Sequence, residues 1–404
     1  MISSHKYEII FYMKTEIIDL SQDQEKVLKK VISWYKSKDK LQFITLGGYA
    51  GTGKTTLISI LRKKLHEENK DLHVAFCSYT GKATRVLQQK LIGTKGLQKD
   101  DTISTIHGLI YTAIENEKQI IVGWKLKSGL KCNLIIIDEA SMIDLDIWKD
   151  LLSYNIRIIA VGDHGQLPPI KKNFNLMEKP MIKLEKIHRQ ARRNPIIKLS
   201  IWAREKGVIP PGNFGDNVMK IQRNEIDSQE TVSDLLASYN SETLILCGYN
   251  KTRIKVNSFV RSSLGFESPT PQVNDRVICL RNNHEEQIFN GMIGTIKSIS
   301  QKDKKWYKAT IDMDDERKDY SGLISISQFD NPVSMNFSKH RAKIVEGDLF
   351  DFGYALTVHK AQGSQKKRVI LFEERFSRMD NDMWKRWLYT AVTRAEEELF
   401  VIGQ

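Results

Sequence analysis

Cysteine and long apolar runs are both scarce in this sequence. Its cysteines form no Cys-x-x-Cys pair and no Cys/His cluster, being scattered at Cys77, Cys132, Cys247 and Cys279. We therefore expect neither a zinc site nor a disulfide framework, and the pattern is typical of a protein in the reducing cytoplasm. No apolar run approaches the ~20 residues that span a bilayer, which argues against a membrane protein.

Signals for secretion and for repeat architecture are also missing. The apolar stretch at the N-terminus is short, is interrupted by Glu8 and Lys14, and has no small-residue cleavage site. A signal peptide is therefore not expected. The sequence shows no fixed-period repeat and no low-complexity tract, so a globular chain is expected rather than a repeat array.

What the sequence does have is length and positive charge. With 404 residues it is too long for one simple domain, so two to four folding units are expected. Its formal net charge is +13, an excess that favours polyanions such as nucleic acid, because phosphate contacts release condensed counterions. Charge alone is equally consistent with an ordinary basic protein.

Apolar runs alternate with amphipathic segments in the first half of the chain, which is the rhythm of an α/β fold. The apolar runs are continuous, as in parallel strands covered on both faces. Strands are predicted at 43–48, 72–78, 133–139 and 156–163, and helices at 22–37, 54–68, 81–91 and 144–153. These segments predict one nucleotide-binding unit. An insertion at 109–132 interrupts it, and IIVGWKLK there would form one arm of a hairpin turning at 115–118.

A second α/β rhythm follows in the other half of the chain. Its buried strands are predicted at 242–250, 355–363, 368–374 and 398–403. Between the first two of these lies a stretch of different texture, 273–349, in which short alternating segments are separated by Gly- and Asn-rich turns. This texture predicts a small β-barrel inserted into the second unit.

The segment GYAGTGKTT (48–56) fits the pattern G-x-x-x-x-G-K-[ST] between a predicted strand and a predicted helix. Its glycines allow backbone N–H groups to turn inward around a phosphate chain, and the helix N-terminus adds its positive dipole end. Lys54 would reach the β- and γ-phosphates, and the Thr55 hydroxyl would ligate Mg²⁺. The alternative is a chance Gly-rich turn, against which the strand–helix context argues.

Two carboxylates, Asp138 and Glu139, end the apolar strand predicted at 133–139. Asp138 would hold Mg²⁺, directly or through water, and Glu139 would orient and deprotonate the attacking water. The alternative is an acidic pair at a helix N-terminus. In the loop after the next predicted strand, 156–163, Gln166 has the chemistry to contact a γ-phosphate or the catalytic water. Asp163 could bind Gln166 or a neighbouring loop. Taken alone, that segment is an ordinary Gly/Pro loop.

The order of these motifs resembles that of superfamily 1 helicases, in particular the RecD/Dda-like branch. The resemblance covers nearly the whole chain. Besides the P-loop and DEAS (138–141), it rests on LSQDQ (20–24) for the Q motif, SYTGKATRVL (78–87) for motif Ia, TIHGLI (105–110) for Ib, GDHGQLPPI (162–170) for III, KIHRQAR (186–192) for IV, YALTVHKAQGSQ (354–365) for V and LYTAVTRAEEEL (388–399) for VI.

The resemblance implies an α/β fold with two RecA-like P-loop NTPase domains in tandem. A small β-hairpin would be inserted in the first domain and an SH3-like β-barrel in the second. The implied bounds are 14–108 and 133–172 for the first domain, 109–132 for its hairpin, 173–272 and 350–404 for the second domain, and 273–349 for its barrel.

The resemblance also implies the nucleotide contacts. Gln24 would read the adenine, and Gly363 would lie beside the nucleotide. Arg189 and Arg394 would reach across to the γ-phosphate, a role that suits the planar, always charged guanidinium; otherwise each is an ordinary surface or ion-paired arginine. The phosphates and Mg²⁺ would be bound by Gly48, Ala50, Gly51, Thr52, Gly53, Lys54, Thr55 and Thr56, with Asp138 as the second metal ligand.

The implied nucleic-acid contacts are to phosphates, which position a strand without reading its sequence. For the histidines among them a structural role is equally expected. The contacts are Thr80, Gly81, Lys82, Thr105 and His107 in the first unit and Thr357, His359 and Lys360 in the second.

Trp124, in the first insertion, would either stack a base or wedge the duplex fork, or else it is a packed hairpin aromatic. Two departures from the family stand out. Gln365 occupies a position where many relatives have an acidic residue, and the first insertion is short, so any fork-splitting pin is small.

The resemblance implies an ATP-dependent helicase, using ATP and Mg²⁺, that moves 5′→3′ on single-stranded DNA and unwinds duplexes at ss/ds junctions. It would be a cytoplasmic monomer without a membrane partner, acting in replication, recombination or repair beside the proteins of those processes. Two alternatives stay open: a translocase that displaces proteins but unwinds weakly, and a non-motor nucleic-acid-binding module. RNA as the track is a weaker third.

Overall fold

A computed structural model of the chain describes residues 20–37, 41–115, 121–169, 174–186, 194–281, 283, 286, 288–314, 318–332 and 347–404. The elements of its first part are α1 (Gln22–Lys36), β1 (Phe43–Gly48), α2 (Lys54–Glu68), β2 (Val74–Ser78), α3 (Gly81–Gly93), β3 (Thr102–Thr105), α4 (Ile106–Ile110), β4 (Tyr111–Glu115), β5 (Ile121–Leu126), β6 (Leu134–Asp138), α5 (Leu145–Leu152), β7 (Arg157–Gly162) and β8 (Ile182–Leu184).

The elements of the second part follow in order. They are α6 (Pro195–Lys206), β9 (Gly212–Gly215), β10 (Val218–Gln222), α7 (Ser228–Ala237), β11 (Thr243–Cys247), α8 (Asn250–Ser263), β12 (Arg276–Cys279), β13 (Ile293–Gln301), β14 (Trp306–Met313), β15 (Tyr320–Ser325), β16 (Phe350–Phe352), β17 (Ala355–Thr357), β18 (Lys366–Phe372), α9 (Asn381–Val392) and β19 (Ala395–Gly403). Of the helices in the described ranges, none is long and apolar enough to cross a bilayer.

The first sheet has six parallel strands in the order β3-β2-β6-β7-β1-β8. Both of its faces are covered, which is why its strands read as continuous apolar runs. In β6, Leu134 and Ile136 pack in the core with α1, α2 and α3, while Ile135 and Ile137 pack in the core with α4 and α5. The four strands and four helices predicted for this half are therefore confirmed. We call this sheet with its helices the first unit.

Strand β8 corrects one predicted boundary. Leu46 and Gly48 of β1 pair with Ile182 and Leu184 of β8, so the first sheet continues past residue 172, where the sequence analysis ended it. The strand is only three residues long and one of them is the exposed Lys183. A segment this short cannot form the apolar run by which a buried strand is predicted from sequence.

The second sheet also has six strands, in the order β17-β11-β18-β19-β10-β9, and only β9 is antiparallel to its neighbour. Helices α6 and α9 pack on one face and α7 and α8 on the other; this is the second unit. The strand predicted over 355–363 is wrong beyond Thr357. The chain turns there and reaches Gly363 in the left-handed region at φ +76°, where a residue with a Cβ would be strained.

A third sheet is antiparallel, in the order β15-β14-β13-β12-β16, and it packs around a core of its own. The expectation of a separate β-rich unit in this region is confirmed in its strands. Its end at residue 349 is wrong, because Phe350 and Phe352 of β16 pair with Cys279 and Val277 of β12. The short strand closes the sheet where the chain returns to the second unit.

Strands β4 and β5 form the predicted hairpin. The predicted insertion begins too early, since residues 109 and 110 end helix α4, and most of the predicted turn at 115–118 lies outside the described residues. The base of the hairpin is held to the first unit. The Tyr154 hydroxyl lies 2.8 Å from the carbonyl oxygen of Ile110 and 3.0 Å from that of Lys127, and the Tyr111 hydroxyl donates to Asp150.

Candidate active site

The loop between β1 and α2 has the backbone of a phosphate cradle. Gly51 and Gly53 both adopt φ +77°, in the left-handed region, and Gly53 is the N-cap of α2. A Cβ on Gly48 would lie 2.6 Å from the Thr52 Oγ1, so only glycine fits there. The positive end of α2 therefore opens into a loop of inward-turning backbone.

Lys54, the first residue of α2, folds back over this loop. Its Nζ donates hydrogen bonds of 2.7 Å to the Gly48 carbonyl and 3.1 Å to the Tyr49 carbonyl. The Asp163 carboxylate lies 3.9 Å from the same Nζ. The ammonium charge is thus held at the mouth of the loop by two backbone carbonyls, which a phosphate can replace, and by a carboxylate nearby.

Thr55 and Asp138 meet at the end of β6. The Thr55 Oγ1 donates to the Asp138 Oδ2 at 3.3 Å. Burial raises the pKa of Asp138, opposed chiefly by the Lys54 charge. A hydroxyl beside a buried carboxylate fits a hard cation such as Mg²⁺, which takes few protein ligands and shares the rest with water and substrate phosphates. Among the described residues no group of three His, Cys, Asp or Glu side chains forms a fuller metal cage.

Glu139 follows Asp138 in a strained conformation, with φ 55° and ψ 39°. Its Oε2 is buried and has no hydrogen-bond partner among the described residues, and the same is true of the Gln166 Oε1. Burial and the neighbouring Asp138 raise the pKa of Glu139, while Arg394 lowers it. Orphaned buried acceptors are uncommon, and an acidic group of this kind beside a phosphate loop has the chemistry of a general base.

Arg394 reaches this group from the second unit. It is 3% exposed, and its Nε and Nη1 donate to the carbonyl oxygens of Thr390 (3.0 Å) and Ser364 (3.2 Å). Burial lowers its pKa, and the charges of Glu139 and Asp163 oppose that shift. The structure thus brings this predicted arginine to the acidic groups of the first unit. Arg189 lies outside the described residues.

Side chains of helix α9 form hydrogen bonds with the backbone of the loop that follows β7. The Arg386 guanidinium donates to the carbonyl oxygens of His164 (2.6 Å) and Gln166 (3.2 Å). The Leu167 N–H donates to the Thr390 Oγ1 at 2.9 Å. These bonds hold Gln166 beside the P-loop. Sequence reasoning missed both α9 side chains, although Thr390 stands inside the quoted motif VI.

Tyr389, on the same helix, is the most consequential residue that sequence reasoning missed. Its hydroxyl accepts a 2.7 Å hydrogen bond from the Ala50 N–H and donates a 2.7 Å hydrogen bond to the Asp163 Oδ2. One oxygen of the second unit is therefore bonded to two loops of the first. The only signal was its place in LYTAVTRA, five residues before Arg394.

The role of Gln24 as an adenine reader stays a prediction. In the structure its Oε1 accepts from the Ser21 N–H at 3.0 Å, closing a capping box on α1, and its Nε2 donates to the Thr52 carbonyl at 3.2 Å. The side chain is 2% exposed and ties α1 to the P-loop. Thr56 and Ala50 lie where predicted, in α2 and the loop.

Gly363 lies beside the N-terminus of α3. A Cβ there would meet the Thr80 Oγ1 at 3.1 Å, so this glycine lets the second unit approach α3. Its place beside the nucleotide stays a prediction. Gln365, the departure from the family pattern, has a local role in which its Nε2 donates to the Thr393 carbonyl at 3.2 Å. Its own carbonyl accepts from the Lys82 Nζ at 3.4 Å.

A cavity of about 320 Å³ opens between the first unit, the third sheet and the second unit. The Thr80 and Thr105 hydroxyls cap α3 and α4 at its edge, accepting from the Ala83 and Gly108 N–H groups. Thr357 is not among the lining residues. Seven of the eight predicted nucleic-acid contacts line the cavity, namely Thr80, Gly81, Lys82, Thr105, His107, His359 and Lys360.

The positive charge of this cavity comes from lysine and arginine rather than histidine. Burial lowers the pKa of His107, with Asp144 opposing, and burial lowers the pKa of His359 as well. Both imidazoles are therefore neutral at pH 7. Burial, with the Arg253 charge, also lowers the pKa of Lys360. Lys82, Arg85 and Lys366 also lie on the wall.

The third sheet contributes a wall whose individual residues sequence reasoning did not identify. Phe289, Asn290 and Met292 line the cavity opposite α3, in the turn before β13. The Asn-Gly pair at 290–291 was the available signal, since Gly291 takes φ +94° as such turns require. An aromatic and a thioether there offer a surface on which bases can stack.

Comparison with known proteins agrees with this geometry. Residues 19–208 match the family described as an AAA domain, and residues 352–402 match the UvrD-like helicase C-terminal domain. The chain is similar to superfamily 1 helicases of the RecD/Dda-like branch. The two matches cover the P-loop, the Asp138–Glu139 pair and the segment that carries Arg394.

Two relatives illustrate this similarity. The ATP-dependent RecD2 DNA helicase of Deinococcus radiodurans is 25% identical over 419 residues, which cover 95% of this chain and 49% of the RecD2 protein. The ATP-dependent DNA helicase dda of Enterobacteria phage T4 is 23% identical, over 95% of this chain and 99% of the phage protein. The chain thus spans about half of RecD2 and nearly all of Dda.

A solved structure shares the fold. The Pif1 helicase from Bacteroides, in complex with ADP-AlF3 and ssDNA, superposes with a TM-score of 0.53 over 95% of this chain and 92% of its own, at 18% identity. At that identity the likeness establishes the α/β architecture with a parallel-sheet core, and nothing about ligands.

Proposed function

We propose that this chain is an ATP-dependent DNA helicase that moves along single-stranded DNA and unwinds duplex at ss/ds junctions. The observation that carries the proposal is the contact of the second unit with the P-loop. Tyr389, in the same motif as Arg394, accepts a hydrogen bond from the Ala50 N–H and donates one to Asp163 of the first unit, each at 2.7 Å. An ATP-hydrolysing site that needs both units makes their separation depend on the nucleotide.

The proposed division of the chain follows the three sheets. The first and second units are the two RecA-like domains, with the β4–β5 hairpin as the insertion of the first. The third sheet is an SH3-like β-barrel inserted in the second. The parallel order of both six-stranded sheets and the separate core of the third support this division.

The proposed chemistry is hydrolysis of the γ-phosphoryl bond of ATP. Lys54 exchanges its loop carbonyls for phosphate oxygens. Glu139, whose raised pKa suits a proton acceptor, takes the proton of the attacking water, and Gln166 orients that water. Arg394, with Arg189 as the proposed second finger, stabilises the charge that develops on the transferred group.

Thr55 and Asp138 are the proposed Mg²⁺ ligands, and a bound Mg²⁺ would neutralise phosphate charge as a Lewis acid. The 3.3 Å Thr55–Asp138 hydrogen bond and the raised pKa of Asp138 support the assignment. Burial makes Asp138 costly to ionise when no positive charge is near. A bound cation, or the charge of Lys54, favours the ionised carboxylate, which can then act as the metal ligand.

The cavity between the units and the third sheet is the proposed path of the DNA strand. Helix N-termini, lysines and an arginine on its walls suit phosphates, and Phe289 suits an unstacked base. When ATP binds between units already joined by the Arg386 and Tyr389 hydrogen bonds, the walls on α3 and on His359–Lys360 tighten on the strand, and hydrolysis releases them. Alternating grip of the two walls would advance the strand, with 5′→3′ as the proposed direction, by analogy with the family.

Action as a monomer beside replication or recombination proteins in the cytoplasm is part of the same proposal. The decisive experiment combines ATP turnover, with and without single-stranded DNA, and strand displacement on 5′-tailed and 3′-tailed duplexes. Stimulated turnover with displacement of the 5′-tailed substrate is expected. No stimulation would rule out a motor, turnover without displacement would favour a protein-displacing translocase, and stimulation by RNA alone would change the track.

A further inference from the structure

One tyrosine of the second unit is hydrogen-bonded to two separate loops of the first. Tyr389 is fully buried. Its hydroxyl accepts from the Ala50 N–H of the P-loop at 2.7 Å and donates to the Asp163 Oδ2 at 2.7 Å. A hydrogen bond to a carboxylate is among the stronger kinds, so this oxygen stabilises the approach of the two units.

The loop that follows β7 leaves room for the Tyr389 ring. A Cβ on Gly165 would lie 3.0 Å from the Tyr389 ring and 2.9 Å from the Tyr49 ring, so glycine is required for α9 to come this close. The Tyr49 and Tyr389 rings meet edge to face at 5.9 Å. Asp163 is fixed in turn, since its Oδ1 accepts from the Gly165 N–H at 2.9 Å.

The same helix ends beside Arg394. The Arg394 Nε donates to the Thr390 carbonyl, in the residue after Tyr389, and its Nη1 donates to the Ser364 carbonyl. The guanidinium is therefore tied to the end of α9. Wherever the Tyr389 hydroxyl holds α9, the arginine is held as well.

We infer that Tyr389 is a positioning residue whose hydroxyl closes the second unit onto the P-loop and thereby sets Arg394 against Glu139. The inference deepens the proposed function and rests on it. Tyr389 touches neither reacting atoms nor DNA in this assignment, and it acts through Arg394.

Removal of the hydroxyl has a specific consequence. In the closed arrangement the Ala50 N–H and the Asp163 Oδ2 would lose a buried partner, whereas in an open arrangement water solvates both. Tyr389→Phe therefore disfavours closure while it leaves the phosphate cradle of the first unit intact. DNA-stimulated kcat should fall about tenfold or more, the effect of roughly one hydrogen bond to a charged group. The Kd for ADP should change less than threefold.

A matched control is Tyr320→Phe. The Tyr320 hydroxyl is equally buried and donates to the Asp348 carboxylate at 2.9 Å, but within the third sheet. The Tyr320→Phe variant should lose about as much thermal stability as Tyr389→Phe but keep the wild-type kcat. Wild-type kcat in folded Tyr389→Phe, or an equal loss of kcat in both variants, would overturn the inference.

The route through Arg394 is tested by a double-mutant cycle. On an Arg394→Ala background, Tyr389→Phe should lower the residual kcat less than twofold, because the group it positions is gone. A further tenfold loss would show that Tyr389 acts by another route and would overturn the inference.

Amide hydrogen exchange at Ala50 in the nucleotide-free wild-type protein gives a readout that needs no activity and no variant. The Ala50 N–H should exchange far more slowly than that of the exposed Gly51, because its acceptor is buried. Exchange as fast as that of Gly51 would overturn the inference even if Tyr389→Phe failed to fold. If the wild type lacks ATP turnover but protects Ala50, the proposed function fails while the inter-unit bond stands.

Discussion

The ammonium group of Lys54 donates a 2.7 Å hydrogen bond to the carbonyl oxygen of Gly48, at the start of the same loop. The loop thus holds its own cation where a phosphate is expected. Lys54→Ala should lower ATP turnover about 100-fold or more, as loss of one donor to developing charge does elsewhere. Binding of single-stranded DNA, followed by fluorescence anisotropy, should stay within about threefold.

Lys64→Ala, on the same helix but facing solvent, is the matched control and should keep wild-type turnover. Turnover retained in Lys54→Ala would refute the phosphate role. An equal loss of DNA affinity and turnover would show that the substitution damages the fold rather than the site.

Arg394→Ala should separate turnover from affinity. The guanidinium is expected to stabilise charge in the transition state, so kcat should fall about 10³-fold or more, while the KM for ATP stays within about threefold. Arg375→Ala removes an exposed guanidinium of the same unit and should change neither constant. If KM rises and kcat holds, Arg394 is a binding residue and the finger assignment is wrong.

Glu139→Gln should inactivate the enzyme and stabilise it. The folded-state pKa of Glu139 is raised, chiefly by burial, so ionisation of this carboxyl opposes folding at every pH above that raised value. Glutamine carries no such penalty. The variant should therefore unfold at a higher temperature than the wild type at pH 8. The ATP turnover of Glu139→Gln should be lower than that of the wild type by about 10²-fold or more.

The stability difference should shrink as the pH falls. Below the ordinary pKa of glutamic acid the carboxyl is neutral in the folded and the unfolded chain, so the variants should then unfold alike. A constant difference from pH 8 to pH 4 would mean that packing rather than charge separates them. Wild-type turnover should rise with pH through the raised pKa, as a base requires.

The sequence predicted what is encoded locally. Continuous apolar runs such as 134–137 predicted strands covered on both faces, and GYAGTGKTT predicted its own loop, because glycine positions and a following helix are properties of neighbouring residues. The order of motifs then placed Arg394 opposite that loop. These features required no knowledge of how the two units approach each other.

Other features depend on contacts between segments far apart in the chain. The Gln24 Nε2 donates to the Thr52 carbonyl, 28 residues further along the chain, and no local pattern indicates that contact. Tyr389 carries no pattern that sets it apart from a core aromatic until Ala50 and Asp163 are brought to it. Strand β8 is too short to show a period. In each case tertiary partners, absent from any local window, decided the role.

The cavity walls lead to a prediction on salt and pH. Lys82 lies on the wall, so Lys82→Ala should reduce the slope of log K against log salt for single-stranded DNA by about 0.7, the value for one phosphate contact. Lys308, exposed on β14, is the control, and its replacement by alanine should leave the slope unchanged. An unchanged slope in Lys82→Ala would exclude the lysine from the phosphate path.

The histidines of the same cavity should add nothing to this slope near neutrality. Burial lowers the pKa of His107 and of His359 below the ordinary value of 6.5, so both are mainly neutral above pH 7. The wild-type slope should therefore be equal at pH 8.0 and pH 7.5. A steeper slope at pH 7.5 would show that an imidazole is charged when DNA is bound.

Trp124 lies on β5 of the hairpin, 37% exposed, and two roles for it make opposite predictions. If its ring meets the duplex at the fork, Trp124→Ala should slow strand displacement about tenfold, since stacking is worth ~1–3 kcal/mol per base. DNA-stimulated ATP turnover should then be unchanged, because the hairpin lies outside the nucleotide site. If the ring only packs the hairpin, Trp124→Ala should lower the unfolding temperature and leave displacement per ATP alone. Trp124→Phe keeps an aromatic face and should restore displacement in the first case.

Because Tyr154 clamps both ends of the hairpin base, Tyr154→Phe should lower displacement per ATP only where the hairpin must be held against a duplex.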